Sequence, residues 1–531
     1  MALLALAGLA LAAGSARPPR AHASSLQLSV MMDDDQLVYR NDRTRDRTLA
    51  TMKALGVDMV RVTMLWSVVA DQARSTAARR RHFNGANPST YPPRNWDRFD
   101  GIVRTARRLG LAVYFNVTGP GPSWAHERAP ASHRADQRTW MPKSREFYKF
   151  VAAAGKRYSG TYKARNGQVL PRVVVWSLWN EPNQGGWLTP QWAYNRALHR
   201  IAPASPAIYR SLFLYGRKAL EDTGHGHDYI FAGETAPLGS HKRSTRSPMY
   251  PKQFIREVLC ADASGHPFAG HSAAARGCSV FDKLGPLRAI AWAHHPYTKH
   301  LPPTVRDPSP DSITMANLKE LPSLLDELAR STHHVASGLS VMSSEFGYET
   351  NPPDPYNGTS LAKQAEYLNI GDFLAFANPR VAGQTQFLLT DAAPQRQYPR
   401  TSRKYWFTYQ SGLYFTGQRP KPALQAYLLP IYAYGPSGTD PSTGQHLYTV
   451  WGQLRFRRPI NVYGPERVTI EFRPSGGGAW RQTGGPVTIT NAQGFFGAYV
   501  PVPGSGSIRA HWRGSTAPRD WTSREARVRG G

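Results

Sequence analysis

The sequence predicts an α/β fold: a (β/α)8 TIM barrel followed by a small all-β sandwich domain. Three observations predict it. Eight short apolar runs recur between residues 26 and 389, with amphipathic stretches in nearly every interval, the pattern of βα units. The length, 531 residues, exceeds one ordinary domain and suits a large domain plus a small one. Beyond residue 433 the pattern changes to brief strands separated by Gly- and Pro-rich turns.

The runs at 26–32, 57–65, 111–117, 173–178, 229–232, 287–293, 339–343 and 383–389 read as the barrel strands. Helices are expected at 44–55, 95–109, 144–158, 203–222, 315–332 and 361–377, with a short one starting at Phe254. The first two end at Gly56 and Gly110, where a left-handed residue closes a helix. An open doubly wound sheet is the alternative, but no Gly-rich nucleotide loop follows any strand. The barrel is thus assigned to 24–433, a linker to 434–445, the sandwich to 446–514 and a polar, basic, flexible tail to 515–531. Tyr448, Trp451, Trp480 and Trp512 form either a carbohydrate-binding face or the sandwich core, and the core is the favoured reading.

Residues 2–13 are apolar apart from Gly8, and Ala21-His-Ala23 follows with small residues at both cleavage positions. Residues 1–23 therefore read as a signal peptide, although no basic residue precedes the apolar run. Twelve apolar residues are too few to span a bilayer, so the mature chain is expected to be soluble and secreted. In that setting the two cysteines, Cys260 and Cys278, are expected to form a disulfide. No cysteine or histidine cluster has metal-site spacing, and neither a metal nor an organic cofactor is implied.

The formal charge of +29 would suit nucleic acid or an anionic surface. However, Arg supplies 51 of the 65 basic residues and is spread along the chain, as a GC-rich codon bias produces. No nucleic-acid motif accompanies it, so nucleic acid is set aside as a partner, while attraction to an acidic polymer stays open. The oligomeric state leaves no mark in the sequence.

Two strand ends carry the chemistry. Val173-Val-Val-Trp-Ser-Leu-Trp-Asn-Glu-Pro-Asn183 runs an apolar strand into Asn180 and Glu181, and Pro182 stops the strand. Val341-Met-Ser-Ser-Glu345-Phe-Gly347 does the same three strands later. Functional residues of such barrels sit at the C-terminal ends of strands, and strands four and seven face each other across the mouth. Glycoside hydrolysis needs two such carboxyls, and a close pair gives a nucleophile and an acid/base with retention of configuration.

On these motifs the chain resembles glycoside hydrolase clan A, and within it is most similar to cellulase-like family 5 and family 39 proteins. The likeness in layout covers residues 26–430. It implies a retaining O-glycoside hydrolase (EC 3.2.1.-) acting on a β-linked polysaccharide, oligosaccharide or glycoside, with Glu181 as acid/base and Glu345 as nucleophile. It also implies an Arg beside the nucleophile, here Arg61 on strand two, with a structural ion pair as the alternative role. The His-x-Tyr of the clan maps to His295 and Tyr297, with His294 competing by one position. Asn180 offers an amide to a sugar hydroxyl. Ionised Glu345 would favour the protonated form of Glu181. Asn116, Trp66 and Trp124 follow strands two and three, and either line the sugar subsites or pack at the rim. Glu234, ending strand five, is expected to contact substrate or support the site. Glu349 and Asp391 read as surface or structural groups. One departure is that strand eight reads Gln384-Thr-Gln-Phe-Leu-Leu389, where many members place a Trp platform. The rival reading is a non-catalytic carbohydrate-binding or cell-wall surface protein on the same barrel.

Overall fold

The computed structural model describes residues 26–514 and 520–529. The expected signal peptide at 1–23 lies outside the described residues. Eight parallel strands close into a barrel: β1 (Leu28–Met32), β2 (Met59–Leu65), β3 (Ala112–Thr118), β4 (Val175–Leu178), β5 (Tyr229–Thr235), β6 (Ala291–His294), β7 (Ser340–Phe346) and β8 (Val381–Phe387). β8 returns to pair with β1, so no edge remains.

Period-two alternation divides each strand between two cores. In β2 and β3, Val60, Val62, Met64, Val113, Phe115 and Val117 point outward into the layer shared with the helices. Val30, Met59, Tyr114, Val175, Phe231, Ala291, Ala293 and Met342 fill the barrel interior. The helices follow their sequence signals. Helix Pro93–Leu109 starts with Pro at its first position and ends at Gly110, whose φ is 67°. It buries Trp96, Phe99, Ile102, Val103 and Ala106 along one face. Helix Asp42–Ala54 is capped by Asn41, whose side chain accepts from the Thr44 amide, a contact worth about 1 kcal/mol. An unforeseen antiparallel hairpin, Trp192–Asn195 with Arg200–Pro203, follows β4. Among the described residues no helix is long and apolar enough to cross a membrane.

The C-terminal region packs two antiparallel sheets face to face. One holds Ile431–Thr439, His446–Gln453 and Phe495–Val502, and the other is centred on Glu466–Pro474 and Gly506–Arg513. Two boundaries differ from the sequence reading. Residues 434–445 are no linker, because they complete the edge strand Ile431–Thr439 and form the turn into the next strand. Their Gly and Pro residues are tolerated there because the strand lies at a sheet edge and bulges between Tyr434 and Gly438. Nor are residues 520–529 a loose tail, since Asp520–Thr522 and Ala526–Val528 pair with Gly506–Arg513. Tyr448, Trp451 and Trp512 are buried, and Trp480 has the guanidinium groups of Arg473 and Arg509 over its ring, so these aromatics form no open sugar platform.

The sandwich is fastened to the barrel. Phe373 and Phe376 of helix Leu361–Phe376 pack on Tyr432 and Phe495 with ring centroids 4.6 and 4.5 Å apart. Arg455 pairs with Asp372 at 3.1 Å, and Arg458 with Asp58 at 2.7 Å. Asp58 immediately precedes β2, so this contact lies at the N-terminal ends of the strands, away from the mouth. The expected disulfide is present between Cys260 and Cys278, in the segment between β5 and β6.

Candidate active site

The C-terminal ends of the strands deliver a connected cluster of charged side chains. On β2, Met59, Arg61 and Thr63 share the inward parity, so Arg61 projects into the barrel and is wholly buried. Two β-bulges bring in carboxylates. Against β6, the register of β5 skips one residue between Gly233 and Thr235, and the extra residue is Glu234, with φ of 51°. Against β8, the register of β7 jumps from Ser343 to Phe346, so Ser344 and Glu345 together occupy the bulge. A bulge inserts one unpaired residue and re-aims its side chain, which is how adjacent residues here both serve the interior. Glu181 follows β4 with φ of 38°, and its amide donates to the Glu234 carbonyl at 2.9 Å.

Arg61 donates from Nη1 to Glu345 Oε1 at 3.0 Å, and from Nη2 to Asn180 Oδ1 at 2.7 Å and Glu234 Oε2 at 3.1 Å. It is therefore a fork joining three strands rather than a single ion pair. The Tyr297 hydroxyl donates to Glu345 Oε2 at 3.1 Å. His295 bonds Glu181 Oε1 through Nδ1 at 2.9 Å and Glu234 Oε2 through Nε2 at 2.8 Å. His294 points elsewhere, to Thr235 and the Ile313 carbonyl, which settles the one-residue ambiguity in favour of His295. Asn180 is fixed by Arg61 on its oxygen and by Thr118 on its backbone amide. Among the described residues its Nδ2 has no protein partner, which leaves that donor for a ligand.

Charge follows from this packing. Burial would strip the His295 proton, but the charge of Glu345 and the hydrogen bonds to Glu181 and Glu234 outweigh it and push His295 up to about 10. Burial would also raise Glu234, yet Arg61, His295 and the Ser177 hydroxyl hold it well below the usual carboxylate range. Glu345 lies above its ordinary value: burial raises it, His295 and Arg61 pull back, and Glu181 and Glu234 repel.

Glu181 and Glu345 open onto a cleft of about 830 Å3. Trp187, Tyr297, Phe387 and Tyr409 give it aromatic walls. Phe387 ends β8, where the sequence lacked a Trp, and packs edge-on against Tyr297 and Tyr409. Asp34, Asp35 and Glu349 add carboxyls to the lining, while Lys299 and His300 add basic groups. Glu349 is thus a cleft residue rather than a surface one, and burial pushes it up to about 7. Asp391 is structural: it accepts from buried Lys421 at 2.7 Å.

Trp66, Trp124 and Asn116, open between subsite lining and rim packing, do not line this cleft. Trp66 is fully buried and stacks on Phe150, at the first position of the short helix Trp66–Val69 that follows β2. Trp124 packs edge-on against Trp66 and Phe83, with Arg74 over its ring. Asn116 lies inside the barrel, donating to Ser177 Oγ at 2.8 Å. Glu234 is wholly buried, so of its two expected roles it takes the supporting one. Missed in the sequence were Tyr114, Ser177 and Ser344, which all donate to Glu234. Donor atoms of Glu181, His295 and Glu345 lie within 4.8 Å of one another, a spacing that could surround a cation. Arg61 already supplies positive charge to Glu345, and both ring nitrogens of His295 are engaged, so the cluster is built as an ion network of side chains.

No family model and no curated protein sequence matches the chain. Solved structures do. A family 39 glycoside hydrolase from Bacteroides cellulosilyticus WH2 matches with 14% identity and a TM-score of 0.44, covering 91% of this chain and 81% of that one. A glucosidase from Croceicoccus marinus matches with 10% identity and a TM-score of 0.47, covering 90% and 94%. A hyperthermophilic beta-glucosidase from Pyrococcus furiosus matches with 13% identity and a TM-score of 0.43, covering 76% and 94%.

Proposed function

We propose that the protein is a retaining glycoside hydrolase of the clan A type, cleaving the O-glycosidic bond of a β-linked glycan or glycoside. The observation that carries this reading is the pair Glu181 and Glu345, with carboxylate oxygens within 4.8 Å of each other at the barrel mouth. Retaining enzymes hold their two carboxyls about 5–5.5 Å apart, whereas inverting ones need roughly 6.5–9.5 Å to seat a water.

The asymmetry of the surroundings supports separate roles. Glu345 accepts from Arg61 and Tyr297, donors that stabilise a carboxylate, so it is the nucleophile. Among the described residues the Glu181 carboxylate bonds only His295, and it is the more exposed, at 21% against 11% for Glu345, so it can meet a leaving group. In the first step a Glu345 oxygen attacks the anomeric carbon while the glycosidic oxygen leaves with the proton of Glu181. In the second, Glu181 takes a proton from water, whose oxygen attacks the same carbon and releases Glu345. Two inversions give net retention. The free amide of Asn180 and the aromatic walls hold the sugar. The disulfide supports action outside the reducing cytosol, in keeping with export.

The test is Glu345→Ala, assayed on aryl β-glycosides and a polysaccharide panel. Turnover should vanish and return in part with azide, as a glycosyl azide of inverted configuration. Undiminished turnover in that variant, or an inverted first product from the unmodified protein, would overturn the proposal.

A further inference from the structure

Glu234 takes no part in the two steps above, yet it is the most heavily bonded carboxylate of the site. It receives donors from four strands and from His295 just past a fifth: Arg61, Tyr114, Ser177 at 2.5 Å, His295 at 2.8 Å and Ser344 at 2.6 Å. Its backbone carbonyl also holds the Glu181 amide.

The bond to His295 has a consequence for protons. One ring nitrogen faces Glu234, and the other faces Glu181 at 2.9 Å and Glu345 at 3.5 Å. A neutral imidazole donates from one nitrogen and accepts at the other, so it would set a lone pair against a carboxylate. With the Glu234 carboxylate on one side and the Glu345 carboxylate beside Glu181 on the other, the ring satisfies both sides as imidazolium. The other groups around this ring and Glu234 are Arg61, Tyr114, Tyr209, Tyr297 and a neutral His294, whose proton burial removes down to about 3. Five donors hold Glu234 as the carboxylate that faces the Nε2 side of the ring.

We propose that Glu234 is a positioning residue that locks His295 as an imidazolium beside Glu181 and Glu345. This rests on the hydrolase reading for its use but not for its test. In protein with 15N-labelled histidine, with the His295 signal assigned by its loss in His295→Gln, both ring nitrogens should carry protons at about pH 8, where an unperturbed histidine is neutral. A neutral His295 there would overturn the proposal. In Glu234→Gln the ring should become neutral by about pH 8. The alkaline limb of kcat/KM should move down by about one unit or more, with KM changing less than about threefold. Glu234→Asp should recover part of the shift. A variant profile superimposable on that of the unmodified enzyme would refute the role. If Glu234→Gln does not fold, the ring spectrum of the unmodified protein decides. A protein that hydrolyses no glycoside would sink the hydrolase reading while the ring spectra still judge Glu234.

Discussion

Replacing Arg61 by Met should cost the fold heavily, and the cost should grow with pH. Arg61 is wholly buried and bonds Glu345 and Glu234 at 3.0 and 3.1 Å. At an effective dielectric of about 20 each such pair gains about 4 kcal/mol before the burial cost of the guanidinium is subtracted. Breaking a buried network by removing one partner typically leaves a net loss of about 3–5 kcal/mol, a large share of a usual stability of about 5–15 kcal/mol. The pH dependence has a definite sign. Glu234 is depressed in the folded protein, so its contribution is present above its unfolded value and fades as pH falls. Without Arg61 burial prevails, the folded carboxyl binds its proton more tightly than the unfolded one, and each rise in pH penalises the folded state. The gap between the two proteins should therefore widen from about pH 5 to about pH 8 in urea denaturation. Arg61→Lys should recover only part, because a single compact ammonium cannot span the three acceptors that the planar guanidinium reaches from two separate nitrogens. A loss under about 1 kcal/mol at the higher pH, or a gap that narrows as pH rises, would refute this account of the site.

Two further outcomes follow from the cleft. Because burial holds Glu345 above its ordinary value of 4.5, the acid limb of kcat/KM should lie at higher pH than for an isolated glutamate, and a limb below about pH 4 would contradict this. Trp187→Ala removes a half-buried aromatic wall six residues past Glu181, so KM should rise about tenfold with kcat nearly unchanged, as a lost stacking surface of about 1.4 kcal/mol implies. A fall in kcat at constant KM would instead place Trp187 in the chemistry.

The barrel was legible because its signals are local. Strand periodicity and the helix stops at Gly56 and Gly110 are written within a few residues of each element. So were Glu181 and Glu345, each at the end of an apolar run. What escaped depends on pairing. The bulge at Glu234 is visible only when β5 is set against β6, and Gly233 was its one local trace. Tyr114, Ser177 and Ser344 looked like ordinary mid-strand residues until closure pointed them at one carboxylate. Of the two readings of Trp66, packing prevails, because the chain turns into the short helix Trp66–Val69 directly after β2. The strand at 431–439 hid behind Gly and Pro residues that only an edge position permits.

The two bulges also separate what holds the barrel from what it does. Below them, β5 pairs in register with β6, β7 pairs with β8 through one further shift between Val381 and Gly383, and the interior layer from Val30 to Met342 is filled by apolar side chains and Tyr114. Above them, one inserted residue per strand presents a carboxylate. Substitution at the rim can therefore alter the reaction without renegotiating the pairing underneath, and drift in the apolar layer can proceed without moving the acids. A scaffold with that division can diverge far in sequence while its upper edge stays chemically competent, or keep its frame while acquiring a new specificity.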